Sequence, residues 1–168
     1  MAGTRFHVLC PADQVLHACS QLFQDSDCTG RLRDLVDIDS LIGELGRTEQ
    51  FWERLVARSR IHGLDRSLFY SLRYATRYLG TDVPREVMAD IPAAPALVAA
   101  FMDQVVPLAL LPTHPDHAPP ISVRFSRWLL FLRSHWLRMP PLLLLRHALT
   151  KGWRTVQPRS KQEEAKTA

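Results

Sequence analysis

Two aspartates separated by one isoleucine, Asp37-Ile38-Asp39, are the residues whose types and spacing come nearest to a reactive centre in this 168-residue chain. On a β-strand, side chains two apart point to one face, so such a pair can grip two divalent cations for phosphoryl or nucleotidyl transfer. Gly30 lies seven residues upstream, loosely in the place of the Gly-Ser turn that precedes the pair in enzymes of that chemistry. The local pattern opposes this use. Arg31 follows Gly30 where a small hydroxyl residue is needed, and Leu32, Leu35, Val36, Ile38, Leu41, Ile42 and Leu45 recur with a helical period. On a helix, positions 37 and 39 diverge by about 200°. Asp37 and Asp39 are therefore expected to be surface or packing residues of a helix.

The remaining chemistries find less support. His114 and His117 sit in a proline-rich stretch with only Asp116 beside them, short of the three or four ligands a zinc site gathers. His17, His62, His135 and His147 are singletons on helix faces or ends. Cys10, Cys19 and Cys28 form no C-x-x-C pair and read as reduced thiols. There is no G-x-S-x-G elbow and no glycine-rich phosphate loop. Arg54, Arg58, Arg60 and Arg66 are interleaved with Glu53 and Asp65, which suits a solvated face better than a DNA-reading helix. No catalytic, cofactor-binding or metal-binding residue is nominated on these grounds.

Charge is distributed unevenly. Residues 1–120 hold 11 Lys/Arg against 15 Asp/Glu, whereas residues 121–168 hold 10 against two, so a basic appendage follows a mildly acidic body. In that appendage Arg124, Arg127, Arg133, Arg138 and Arg146 alternate with Trp128, Trp136 and Trp153, a mixture suited to an anionic membrane surface. These five arginines are the candidate anionic-surface contacts. The competing expectation is that the tryptophans pack on the body while the arginines meet solvent. Residues 1–10 contain one Arg and no long apolar run, so a cytoplasmic chain without a secretory signal is expected. The apolar stretches 97–111 and 128–145 are too short or too interrupted to span a bilayer, leaving peripheral contact with the inner membrane as the membrane option.

The elements that must position these residues are helical. Residues 4–9 could form a short strand, within a 1–10 segment of extended chain. Pro11 opens a helix over 11–24 with Val15, Leu16, Cys19, Leu22 and Phe23 on one face. Further helices are predicted over 31–45, from an N-cap at Thr48 to Gly63, and from a cap at Asp65 to Gly80. Their short connections dictate near-antiparallel packing. Pro84 opens a short helix to about residue 91, and another spans about 95–111, which Pro107 should kink or end. Residues 112–120 form a proline-rich linker. A helix over about 121–138 offers Val123, Trp128, Phe131, Leu132 and His135 or Trp136 as its apolar stripe, and Pro140-Pro141 separates it from a last helix over about 141–153. The expected organisation is an all-α helical bundle over 11–111, the 112–120 linker, basic amphipathic helices over 121–153 and a disordered tail over 154–168.

Four segments carry a family resemblance: PADQVLHACSQLF (11–23), RLRDLVDIDSLI (31–42), residues 51–87 with their His62-Gly63-Leu64 and Leu79-Gly80 to Pro84 turns, and FLRSHWLRMPPLLLLRHALTKG (131–152). Together they resemble the uncharacterised bacterial nucleotidyltransferase family, whose N-terminal half is similar to polymerase-β-type nucleotidyltransferases and whose C-terminal half is helical. The resemblance implies that this chain represents the helical C-terminal half, residues 4–9 resembling the last strand before it. The catalytic Gly-Ser and Asp-x-Asp segment, with the Mg²⁺ and nucleoside triphosphate it holds, would then be absent. Asp37 matches the aspartate of the helical half and is the candidate for interdomain contact.

The leading functional expectation is thus a nucleotidyltransferase-family protein without autonomous transfer, truncated or one half of a split enzyme, partnered by a separate catalytic domain. The alternative is a non-enzymatic adaptor that docks on a membrane or protein through its Arg/Trp-rich helices. DNA is the least favoured partner.

Overall fold

The computed structural model describes residues 7–24, 30–112, 114 and 116–138. Among them are seven α-helices and no strand: α1 (Pro11–Gln24), α2 (Leu32–Leu45), α3 (Glu49–His62), α4 (Asp65–Leu79), α5 (Arg85–Asp90), α6 (Ala96–Leu110) and α7 (Ile121–Arg138). The all-α class expected from periodicity is the one observed. The chain divides after Phe131 into a compact unit, Met1–Phe131, and a second, Leu132–Ala168, of which the description covers the end of α7.

In α1 the buried residues are Ala12, Val15, Leu16, Cys19, Leu22 and Phe23, the three- and four-residue recurrence that turns one helical stripe inward. The centre of the bundle is α4, which packs against α1, α2 and α3. Eight of its residues are buried: Ser67 to Leu72 in an unbroken run, then Tyr74 and Ala75. Tyr70 and Tyr74, one turn apart, stack with their ring centroids 6.1 Å apart, and Phe23 of α1 lies 5.8 Å from Tyr70. Offset aromatic contacts of this kind add to the area they bury. On α6, Met102, Val105, Val106, Ala109 and Leu110 are buried, and α7 adds Val123 and Leu130 to the buried set.

Helix ends follow local chemistry. The Thr48 hydroxyl accepts from the Phe51 backbone N–H at 3.4 Å, starting α3 as the sequence predicts. The Trp52 indole donates to the Gly46 carbonyl at 2.9 Å and so ties α3 to the end of α2. Gly63 and Gly80 close α3 and α4 with φ of 63° and 74°, left-handed values that a β-carbon disfavours. Across the α3–α4 turn, the Ser59 hydroxyl donates to Asp65 at 2.7 Å.

Several expectations are corrected. Residues 7–10 form no strand, and Val8 is exposed; residues 1–6 lie outside the described set. Val36 is exposed rather than facing inward, because it sits about 100° round the helix from Leu35 and farther still from Ile38 and Ile42, the residues that α2 buries. Asp65 is the first residue of α4 rather than its cap, which is Leu64. Proline does not end α6, which continues past Pro107 to Leu110. On α7, Trp128, Phe131 and Leu132 of the expected stripe are exposed and Val123 is buried, with Ser126 and Leu130 buried beside it; the side chains of His135 and Trp136 lie outside the described residues. The predicted helix over 141–153 and tail over 154–168 lie outside the described residues.

A β-carbon at Gly80 would meet nothing within 4 Å, so a substitution there is opposed by the backbone alone. Gly80→Ala should destabilise the protein by about 1–2 kcal/mol, the cost of a left-handed non-glycine residue, lowering Tm by roughly 2–8 °C. Thermal denaturation followed by circular dichroism checks it, and Gly80→Asn should recover part of the loss.

Candidate anion-binding site

The Asp37-Ile38-Asp39 motif lies on α2, and its two carboxylates serve different surroundings. Asp39 accepts from the hydroxyl of the buried Thr81 at 2.6 Å, fastening α2 to the segment that leaves α4, while Asp37 is exposed. One carboxylate is committed to a threonine and the other faces away, so the pair does not fit a two-metal centre. No group of three His, Cys, Asp or Glu able to hold a metal occurs among the described residues. His114 and His117 are side by side, their Nδ1 atoms 3.1 Å apart in exposed chain. Burial pushes the Cys19 thiol up to about 12, which removes it as a nucleophile at neutral pH.

Several arginines on the bundle's surface are committed to carboxylates. Arg58 grips Asp13 through two hydrogen bonds, linking α3 to α1, and Arg60 donates to both the backbone and side chain of Asp90 at 2.8 and 2.7 Å. These partners account for two of the four arginines considered for DNA reading. The Arg58 guanidinium holds the Asp13 carboxyl below the ordinary carboxylate range.

A different arrangement occurs beyond the middle of α4. A pocket of about 380 Å³ is lined by Arg73, Thr76 and Arg77 of α4, Val83, and Arg85 and Met88 of α5. Asp103, reaching from α6, takes a two-pronged pair from Arg73 at 2.9 and 2.6 Å and a third contact from Arg77 at 3.0 Å. Its side chain is only 14% exposed, and the Arg73 guanidinium holds its carboxyl below the ordinary value against the opposing push of burial. Burial, with the Asp103 charge next, pushes the Tyr74 phenol up, so it stays a neutral hydroxyl throughout the usual pH range. Two guanidinium groups thus grip one carboxylate, and a third, that of exposed Arg85 on α5, lines the same pocket with no ion pair among the described residues. The excess positive charge, planar donors and apolar walls of Val83 and Met88 suit a phosphate or carboxylate borne on an organic group.

A second concavity, about 600 Å³, is bounded by the α2–α3 turn, α3 and α5. Glu49, Glu53, Glu86 and Asp90 surround an apolar floor of Trp52, Val56, Pro84 and Val87, with Arg47 the lone cation, so it repels anions. Of the arginines proposed for an anionic surface, Arg124 is exposed, Arg127 is half-buried and donates to the Leu111 carbonyl at 2.8 Å, and Arg133 is half-buried. Arg138 is the last residue of α7, and Arg146 lies outside the described residues. Sequence reading missed the pocket's arginines. The signal available was Arg73 and Arg77 one turn apart on α4, with Arg85 following Pro84, but neither shows which acidic residue joins them.

Fold and pocket define an all-α module with a cationic cleft. Residues 1–80 match the model of a family described as uncharacterised nucleotidyltransferase, so the N-terminal part of the chain is a domain similar to that family. The match runs through Gly80 and therefore takes in α1 to α4, with Arg73 and Arg77, but neither Arg85 nor Asp103. No curated protein and no solved structure matches the chain.

Because the Asp103 carboxyl is depressed in the folded protein, its contribution to stability is full above its ordinary value of 3.8 and is lost as pH falls through the lower folded value. Asp103→Asn should cost about 1.5–3 kcal/mol at pH 7, the worth of hydrogen bonds to a charged group. The gap between wild type and variant should hold steady from pH 7 to 5 and narrow below pH 4. Urea denaturation across that range measures it.

Proposed function

We propose that the bundle is the helical, ligand-holding part of a nucleotidyltransferase and does not itself carry the metal-dependent transfer centre. The carrying observation is the pairing of a family match over residues 1–80 with a three-arginine pocket whose first two members lie within the matched stretch. In this reading Arg73, Arg77 and Arg85 hold the phosphate of a nucleotide or of a phosphorylated sugar, lipid or polysaccharide intermediate. Asp103 keeps the first two guanidinium groups in place before the ligand arrives, so that less side-chain freedom is lost on binding. A catalytic domain, on another chain or in further sequence of a longer form, supplies Mg²⁺ binding and the bond-making step. Exposed Asp37 on α2 is the contact we assign to that domain. The proposed location is the cytoplasm, where nucleoside triphosphates are available; among the described residues no helix is long and apolar enough to cross a membrane.

Isothermal titration of the 168-residue chain with ATP and with inorganic pyrophosphate at low salt tests the pocket. Binding should weaken at least tenfold in Arg85→Ala, with Tm unchanged because that side chain supports no other element. Equal affinity in wild type and variant overturns the assignment. Incubation with labelled nucleoside triphosphates and Mg²⁺ should give no transfer, and transfer that disappears in the Asp37→Asn, Asp39→Asn double variant would overturn the separation of binding from catalysis.

A further inference from the structure

Helix α7 carries two apolar faces. Val123, Ser126 and Leu130 are buried, and at about 100° per residue Ile121, Phe125 and Trp128 fall on the opposite side of the helix. Ile121 is 77%, Phe125 56% and Trp128 53% exposed. The Phe125 and Trp128 rings stack on each other at 5.8 Å, yet more than half of each residue faces water. A bundle helix needs one apolar stripe, and a second with two large aromatics marks a surface that is covered by something else. Arg127 donates to the Leu111 carbonyl, anchoring α7 by its inner side so that the aromatic stripe stays outermost.

We propose that the Ile121, Phe125 and Trp128 face of α7 docks on an anionic lipid surface, with Arg124 at its flank meeting the headgroups. Charge complementarity selects that occupant. No Asp or Glu occurs from residue 117 through 162, and residues 121–168 carry ten basic side chains against two acidic ones. A second copy meeting this face symmetrically would bring one basic segment against another and be repelled. Anionic headgroups offer the opposite sign, and aromatic side chains settle at the level where hydrocarbon meets headgroup. Lipid contact of this kind does not require the Arg73, Arg77 and Arg85 pocket to bind anything.

Co-sedimentation of the full chain with vesicles tests the proposal. Binding to vesicles of about one-third phosphatidylserine in phosphatidylcholine should be at least tenfold tighter than to pure phosphatidylcholine, and should fall at least tenfold between 50 and 500 mM NaCl. Phe125→Ser with Trp128→Ser should lower it by at least tenfold while Tm stays unchanged, since both residues are exposed. Arg85→Ala should leave it unaltered, which separates this surface from the phosphate pocket. Undiminished vesicle binding by the double variant would assign the lipid affinity to the basic residues alone and overturn the proposal. So would a dimer in analytical ultracentrifugation that the double variant abolishes, since a second copy would then be the occupant.

Discussion

A carboxylate that cannot stay buried alone organises one side of this molecule. Asp103 sits on a helix that is otherwise almost entirely apolar, Ala96 to Leu110, and its charge is tolerable there because Arg73 and Arg77 of α4 reach it. Removing an ion from water costs several kcal/mol unless hydrogen bonds replace the lost hydration, and the two-pronged geometry with Arg73 provides them. The same contacts hold two guanidinium groups at the pocket wall in one conformation. Packing of α6 and positioning of the candidate site are therefore one requirement, met by one ion-pair cluster.

The cluster depends in turn on α4 being held from several directions. With α1, α2 and α3 around it, α4 buries Ser67 to Leu72 in an unbroken run and then frees a surface towards its C-terminal end, where Arg73, Thr76 and Arg77 emerge. The left-handed turn at Gly80 and the Thr81 hydroxyl on Asp39 then set the direction of the chain towards Arg85. An aspartate with the look of a metal ligand is thus spent on fixing a backbone exit.

The class of fold was legible in the sequence because helical period, glycine stops and proline starts are local signals, and α1 to α6 fall close to where those signals place them. The facing of helices was less legible. Val36 on α2 and Trp128 on α7 are apolar and correctly spaced for a stripe, yet exposed, because periodicity identifies a face without saying which of two apolar arcs meets a neighbour. The pocket was not legible, since Arg73 and Asp103 are 30 residues apart and nothing in the spacing joins them. Asp37 and Asp39 show the converse. Their spacing suggested chemistry, and the helix on which they sit separates them.

The brevity of the turns has a temporal side. Only Gly46 to Thr48 separate α2 from α3, and only Gly63 and Leu64 separate α3 from α4, so the central helix and the three around it are drawn from neighbouring stretches of chain. Contacts of short sequence separation form early and fast. As the polypeptide leaves the ribosome, this half of the molecule can assemble before the arginine- and tryptophan-bearing end has been translated. The basic, tryptophan-bearing end then appears after the core of the first four helices has had time to close.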